Sequence, residues 1–170
     1  VSTNFGPNGY KNLKAKLGNQ SDWSLNAFTA TNNGFRELSG YDQQKLKIRS
    51  DYQWNDFIAS LKITLTNLNQ ETAGYITGID AYKDSSLNRK NFNPEAFRDA
   101  DSQRLSLNLK REEKNGLSTI TPYLRRNDMK FLQHFLPGTP VEENNHSSLG
   151  LIFKRLFKSE NFSVTSGFQI

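Results

Sequence analysis

The sequence predicts an all-β fold, an antiparallel up-and-down meander of about eight strands, on three observations. Apolar and polar residues alternate with period two through most of the chain, and helical periodicity is scarce. Tight connections rich in Gly, Asn, Asp or Lys separate some strands, and longer connections separate the others. Aromatic residues gather within a few positions of the tight connections.

The pattern opens with Leu13, Ala15 and Leu17 against Lys14 and Lys16, predicting a strand near 10–17, followed by a weaker copy over 23–31. Over 41–54, Leu46, Ile48, Tyr52 and Trp54 oppose Lys45, Lys47, Arg49, Asp51 and Gln53. Over 57–69, Phe57, Ala59, Leu61, Ile63 and Leu65 oppose Ser60, Lys62, Thr64 and Thr66. The clearest alternation sets Leu105, Leu107 and Leu109 against Arg104, Ser106, Asn108 and Lys110, within a strand predicted over 103–112. A strand over 117–126 contains Pro122, which predicts a broken ladder or a bulge because proline cannot donate to it. Strands over 147–157 and 162–170 complete the set, the last with Phe162, Val164, Phe168 and Ile170 on one face. Two short helical turns are also expected. One starts at Asn93-Pro94-Glu95, a good cap followed by a good first turn; the other spans Asp128–Leu136 and is stopped by Pro137-Gly138.

Composition narrows the class. The 170 residues are only 35% apolar but 12% aromatic, which is poor for a packed core and far too ring-rich for a solvated coil. No apolar run is long enough for a transmembrane helix. The absence of cysteine removes disulfide frameworks, thiolate zinc sites and cysteine nucleophiles. A net charge of +5 allows an anionic partner without choosing one. The first residues have no basic or apolar leader, and the alternation continues to Phe168-Gln169-Ile170; the chain is expected to be a fragment.

The connections point further. Gly18–Asp22, Asn55-Asp56, Glu113–Gly116 and Lys158–Asn161 are tight, and Asn32–Gly40, Gln70–Ser102 and Asn127–His146 are long, in strict alternation. A transmembrane β-barrel has this asymmetry, with short periplasmic turns and long extracellular loops. Most of the strands match the 9–11 residues that cross a bilayer at a tilt. Trp23, Tyr52, Trp54, Phe57, Phe157 and Phe162, all near the tight turns, would form one aromatic girdle.

Several segments then resemble the barrel of TonB-dependent outer-membrane receptors, especially ferric-siderophore receptors. They are Phe5-Gly6-Pro7-Asn8-Gly9-Tyr10-Lys11-Asn12-Leu13, Arg36–Gln44, Ala73-Gly74-Tyr75, Asn93–Ala100, Thr121–Arg126 and Phe131–Gly138 followed by Glu142-Glu143-Asn144. Their shared order over nearly the whole chain carries the resemblance. It implies that residues 1–170 are the early part of a 22-stranded barrel, without the plug domain and the C-terminal strands. It also implies partners: a ferric siderophore or other scarce nutrient, outer-membrane lipid, the plug of the same protein and the TonB energy-coupling system, with no nucleic acid. The expected location is the bacterial outer membrane and the expected function is nutrient uptake.

No catalytic set stands out, so no enzyme activity, cofactor or metal is expected. His134 and His146 lie twelve residues apart with no completing ligand, and Ser147-Ser148 lack a nucleophile elbow. With the apolar face toward lipid, Lys45, Lys47, Arg49, Lys62, Arg104 and Lys110 point to the lumen, as do Lys14, Lys16 and Lys154. Lipid exposure would cost each of them about 2–4 kcal/mol at midplane. Such a lumen would concentrate anionic solutes. Loop position makes Arg36, Tyr75, Tyr82, Gln133 and His134 the candidate ligand contacts. Two other readings remain: a complete eight-stranded outer-membrane barrel with a structural or adhesive role, or a soluble β-module binding an anionic ligand through its basic face. The second would need its aromatics on that basic face.

Overall fold

The computed structural model describes residues 1–19 and 22–170 and forms one antiparallel sheet whose strand order follows the sequence from β1 to β9. The strands are β1 (Ser2–Phe5), β2 (Lys11–Gly18), β3 (Trp23–Asn32), β4 (Tyr41–Trp54), β5 (Phe57–Glu71), β6 (Phe97–Glu113), β7 (Gly116–Leu132), β8 (Val141–Lys158) and β9 (Ser163–Gln169). Two 3-10 turns, Ala81–Lys83 and Ser85–Leu87, interrupt the connection between β5 and β6.

The strand count is nine rather than eight. The additional strand, β1, pairs with β2 from Ser2 opposite Lys14 to Phe5 opposite Lys11. Its turn is set by Asn8 and Gly9, both left-handed at φ 56° and 69°, a conformation that asparagine and glycine adopt at least cost.

Three strands also run well past their expected ends. β6 begins at Phe97, β7 continues to Leu132 and β8 begins at Val141. The connection expected over Gln70–Ser102 is therefore confined to residues 72–96, and that expected over Asn127–His146 to residues 133–140. The expected helical turn at Asp128–Leu136 is strand for most of its length, Asp128 lying opposite both Asp101 and Asn145. At Asn93 there is a single turn, closed by the Ala96 N–H donating to the Asn93 carbonyl at 3.0 Å, and not a helix.

Pro122 produces no bulge. Leu105 lies opposite Leu124 and Leu109 opposite Ile120, so the register is unchanged across the proline and only the pairs at 107–108 are interrupted. The missing donor costs ladder bonds without inserting a residue.

The alternation of connections survives these corrections. The turns at 55–56, 114–115 and 159–162 lie at one end of the sheet, with the β2–β3 connection, whose residues 20 and 21 are outside those described. The connections 6–10, 33–40, 72–96 and 133–140 lie at the other.

Among the described residues nothing covers either face. Ala30 and Ala96 are the only buried hydrophobic residues among those described, and no large side chain is fully buried. The accessible surface is 11970 Å², whereas a packed domain of this 19.4 kDa mass would expose about 8,500 Å². The fold is a single layer, held by ladders and cross-strand pairs rather than by a core.

Candidate functional site

Register fixes which side chains share a face, because directly opposed residues of an antiparallel pair point the same way. One face carries a continuous apolar band. Ile48, Ile63, Leu105, Leu124 and Leu149 form one row across five strands. Leu61 and Leu107 form part of the next. Ile120 and Phe153 extend the band toward β9, where Phe153 and Phe168 lie 5.5 Å apart.

The band has sharp limits on each strand. On β6 it runs between Gln103 and Arg111, and on β8 between Ser147 and Arg155. Eight residues span roughly 27 Å along a strand, or roughly 20 Å of thickness at a 40° tilt, close to the apolar belt of outer-membrane barrels.

Charges reappear on this face only beyond the limits. At the long-loop end Arg126 pairs with Asp128 at 2.8 Å and Lys130 with Glu143 at 2.7 Å. At the short-turn end Arg155 pairs with Glu113 at 2.7 Å, and Arg111 lies 5.2 Å from the Phe57 ring. Rings mark the same end: Trp54 stacks on Phe57 at 6.2 Å, and Phe157 meets Phe162 at 6.1 Å.

The opposite face is polar and basic. Lys45, Lys47, Arg49, Lys62, Arg104 and Lys110 all lie on it, as the alternation predicts. Lys47 opposes Thr64, Thr64 opposes Arg104, and Arg49 opposes Lys62. Hydroxyls and amides fill the spaces between them, as where Asn108 donates to Thr121 at 2.7 Å. Arg49 is paired with Asp51 at 2.6 Å, and Lys110 with Glu112 at 3.4 Å.

Of the five loop candidates, the structure brings Arg36 and His134 together at Gly74, next to Tyr75, at the long-loop end. Arg36 donates from its guanidinium to the carbonyl of Gly74, the residue before Tyr75. His134 also lies against Gly74: a Cβ there would approach the imidazole at 3.3 Å and collide with Asn93 Oδ1. The His134 Nδ1 is buried without a hydrogen-bond partner. Tyr75 is exposed beside this knot. Gln133 flanks it and donates to Glu142. Tyr82 sits in the first 3-10 turn, also exposed, with Lys83 Nζ 5.5 Å from its ring.

Residues without a predicted role tie the loops together. Arg89 donates to the Phe35 carbonyl at 3.0 Å and covers that ring at 5.0 Å. Asn91 donates to the Leu38 carbonyl at 2.9 Å, and the Glu37 N–H to the Arg89 carbonyl at 2.9 Å. Long-range pairing of loops leaves no periodic trace in a sequence. Ser86 hydrogen bonds hold the exposed Asp84 carboxyl below its ordinary range. Among the described residues, no group of three His, Asp or Glu could hold a metal.

Gly74 is the tightest point of the knot. Gly74→Ala should separate Asn93 and His134, and limited proteolysis should then cut the 72–96 connection about tenfold faster, because local opening controls such cleavage. An unchanged cleavage rate would show that the loops are held elsewhere.

No protein-family model and no curated protein matches the chain.

Proposed function

We propose that this chain is a stretch of wall from a transmembrane β-barrel in a bacterial outer membrane. The parent protein, on this reading, is a TonB-dependent receptor that imports a ferric siderophore or a similarly scarce nutrient. One observation supports the membrane reading above the others: a single-layered sheet whose apolar band is uncovered among the described residues while its other face is basic and hydroxyl-rich. In water, an exposed apolar surface of that extent would promote association; against acyl chains it is the required surface.

The open sheet supports a larger barrel over a closed eight-stranded one, since β1 and β9 each pair on one side only among the described residues. The receptor assignment rests on the family-like segments, and the anionic cargo is favoured by the basic face. Ligand would be engaged by the long-loop end, where Arg36 and His134 meet at Gly74 next to Tyr75, and Tyr82 and Gln133 would contribute from its flanks. Transport of this kind breaks no bond, and we assign no catalytic residue.

Topology follows from the same reading. An epitope inserted beside Ser85 should be detected on intact cells, because the 72–96 connection would be extracellular. Detection only after permeabilisation of the outer membrane would reverse the orientation.

Uptake tests the cargo. A strain lacking the parent gene should lose uptake of at least one radiolabelled ferric chelate and grow poorly under iron limitation. Lys45→Glu or Lys47→Glu should lower that uptake by about two- to fivefold, with the effect fading at high salt as screening removes steering. Unchanged uptake across a broad panel of chelates would overturn the iron assignment and leave the barrel assignment standing.

A further inference from the structure

Four lysines crowd one part of the polar face. Lys14, Phe28 and Lys45 form one row across β2, β3 and β4, and Lys16, Asn26 and Lys47 form the next. Strand geometry places the two rows roughly 7 Å apart and the two lysine columns roughly 10 Å apart. The four lysines therefore flank one aromatic residue and one carboxamide.

Lys14 Nζ lies 5.8 Å from the Phe28 centroid, and a groove of about 720 Å³ lies over the patch. Among the described residues none of the four ammoniums is in an ion pair, whereas Arg49, two positions along β4 from Lys47, is satisfied by Asp51. Four like charges at this spacing repel one another, and a bound anion would relieve that repulsion while gaining attraction from each. A single small anion could not reach across such a span. A ring carrying several acid groups could, with its plane on Phe28 and its oxygens toward the lysines and the Asn26 amide.

We propose that this patch is a binding site for an aromatic polyanion, a planar ring bearing several carboxylate, phenolate or phosphate groups. The site deepens the transport proposal and rests on its assignment of this face to a water-filled interior. Lysine suits the task as a mobile point charge that follows an acid group rather than demanding one fixed geometry.

The probe is mellitate, benzenehexacarboxylate, titrated calorimetrically into the full-length protein in detergent micelles at low salt, with citrate as a ringless comparison. Lys16→Gln and Lys47→Gln should each weaken mellitate about threefold, and the pair about tenfold, as expected for partly screened charges. Phe28→Ala should weaken mellitate more than citrate. Absence of mellitate binding, or affinity unchanged in the double variant, overturns the site. Equal losses of mellitate and citrate in Phe28→Ala overturn the role of the ring. Labelling of the Asn26→Cys thiol by a membrane-impermeant maleimide separates the two levels of failure. A reactive thiol with no mellitate binding sinks the anion site alone, and an unreactive thiol sinks the water-filled face together with it.

Discussion

Leu107→Arg should abolish stable insertion of the parent barrel, whereas Asn108→Arg should leave it intact. The two positions are adjacent on β6, but register puts Leu107 in the apolar row with Leu61 and puts Asn108 on the opposite face beside Ser60 and Thr121. At the membrane midplane an arginine on the lipid side costs about 2–4 kcal/mol, a large part of the 5–15 kcal/mol that typically holds a folded chain together. On the polar face the same side chain meets hydroxyls, amides and water, so its cost should be close to zero. Folding into vesicles, followed by the mobility shift between folded and heat-unfolded forms, reads the difference. Equal behaviour of the two variants would remove the distinction between the faces on which the membrane assignment depends.

Gly150→Val should produce the second largest loss. Gly150 lies opposite Tyr123 on the polar face, and a Cβ at 150 would run into the phenol ring and come within 2.7 Å of the Ile170 carbonyl oxygen. That carbonyl accepts from the Leu151 N–H at 2.9 Å, so moving it would disturb the β8–β9 ladder. The phenol also anchors its surroundings: Gln169 donates to its oxygen at 2.9 Å, and the Arg125 guanidinium lies 4.9 Å from its ring. Overpacking of this kind costs about 1–3 kcal/mol. Urea titration of the folded protein in micelles should show the loss. Adding Tyr123→Ala should recover part of it, since the two changes act on one shared space and cannot be additive. A double variant as unstable as the sum of the singles, or more so, would contradict this account of the glycine.

The apolar band was legible in the sequence because period two is imposed by having different solvents on the two faces. β4 shows this best: it spans Tyr41–Trp54 as expected, since it carries alternation along most of its length. Beyond the band apolar residues no longer keep to one face, as Met129 and Phe131 lie opposite Ala100 and Arg98 on the side that carries Arg104, yet the hydrogen-bond ladder continues. Phe97–Ser102, Asn127–Leu132 and Val141–His146 are therefore strand without looking like it, and the connections they were expected to form are correspondingly shorter.

The same mechanism misled the helical readings. Met129 and Phe131 alternate with Asp128 and Lys130 over too short a run to stand out, but Asp128–Phe131 are paired on both sides, and tertiary pairing outweighs weak local preference. β1 was hidden for a different reason. Four residues are too few to show a period, although the Pro7-Asn8-Gly9 turn that creates the hairpin is a clear local signal. In the loops, single residues could be nominated by position, but not their partners. The convergence of Arg36 and His134 on Gly74 depends on where three separate connections meet.

The central claim is that one face of this sheet meets lipid and the other meets water. A cysteine scan along β6 from Gln103 to Arg111 of the full-length protein, in native outer membranes, tests it most directly. Labelling by a membrane-impermeant maleimide should alternate, with Arg104, Ser106, Asn108 and Lys110 positions reactive and Leu105, Leu107 and Leu109 positions protected. Uniform labelling along the strand, or protection of the even-numbered positions instead, would contradict the account.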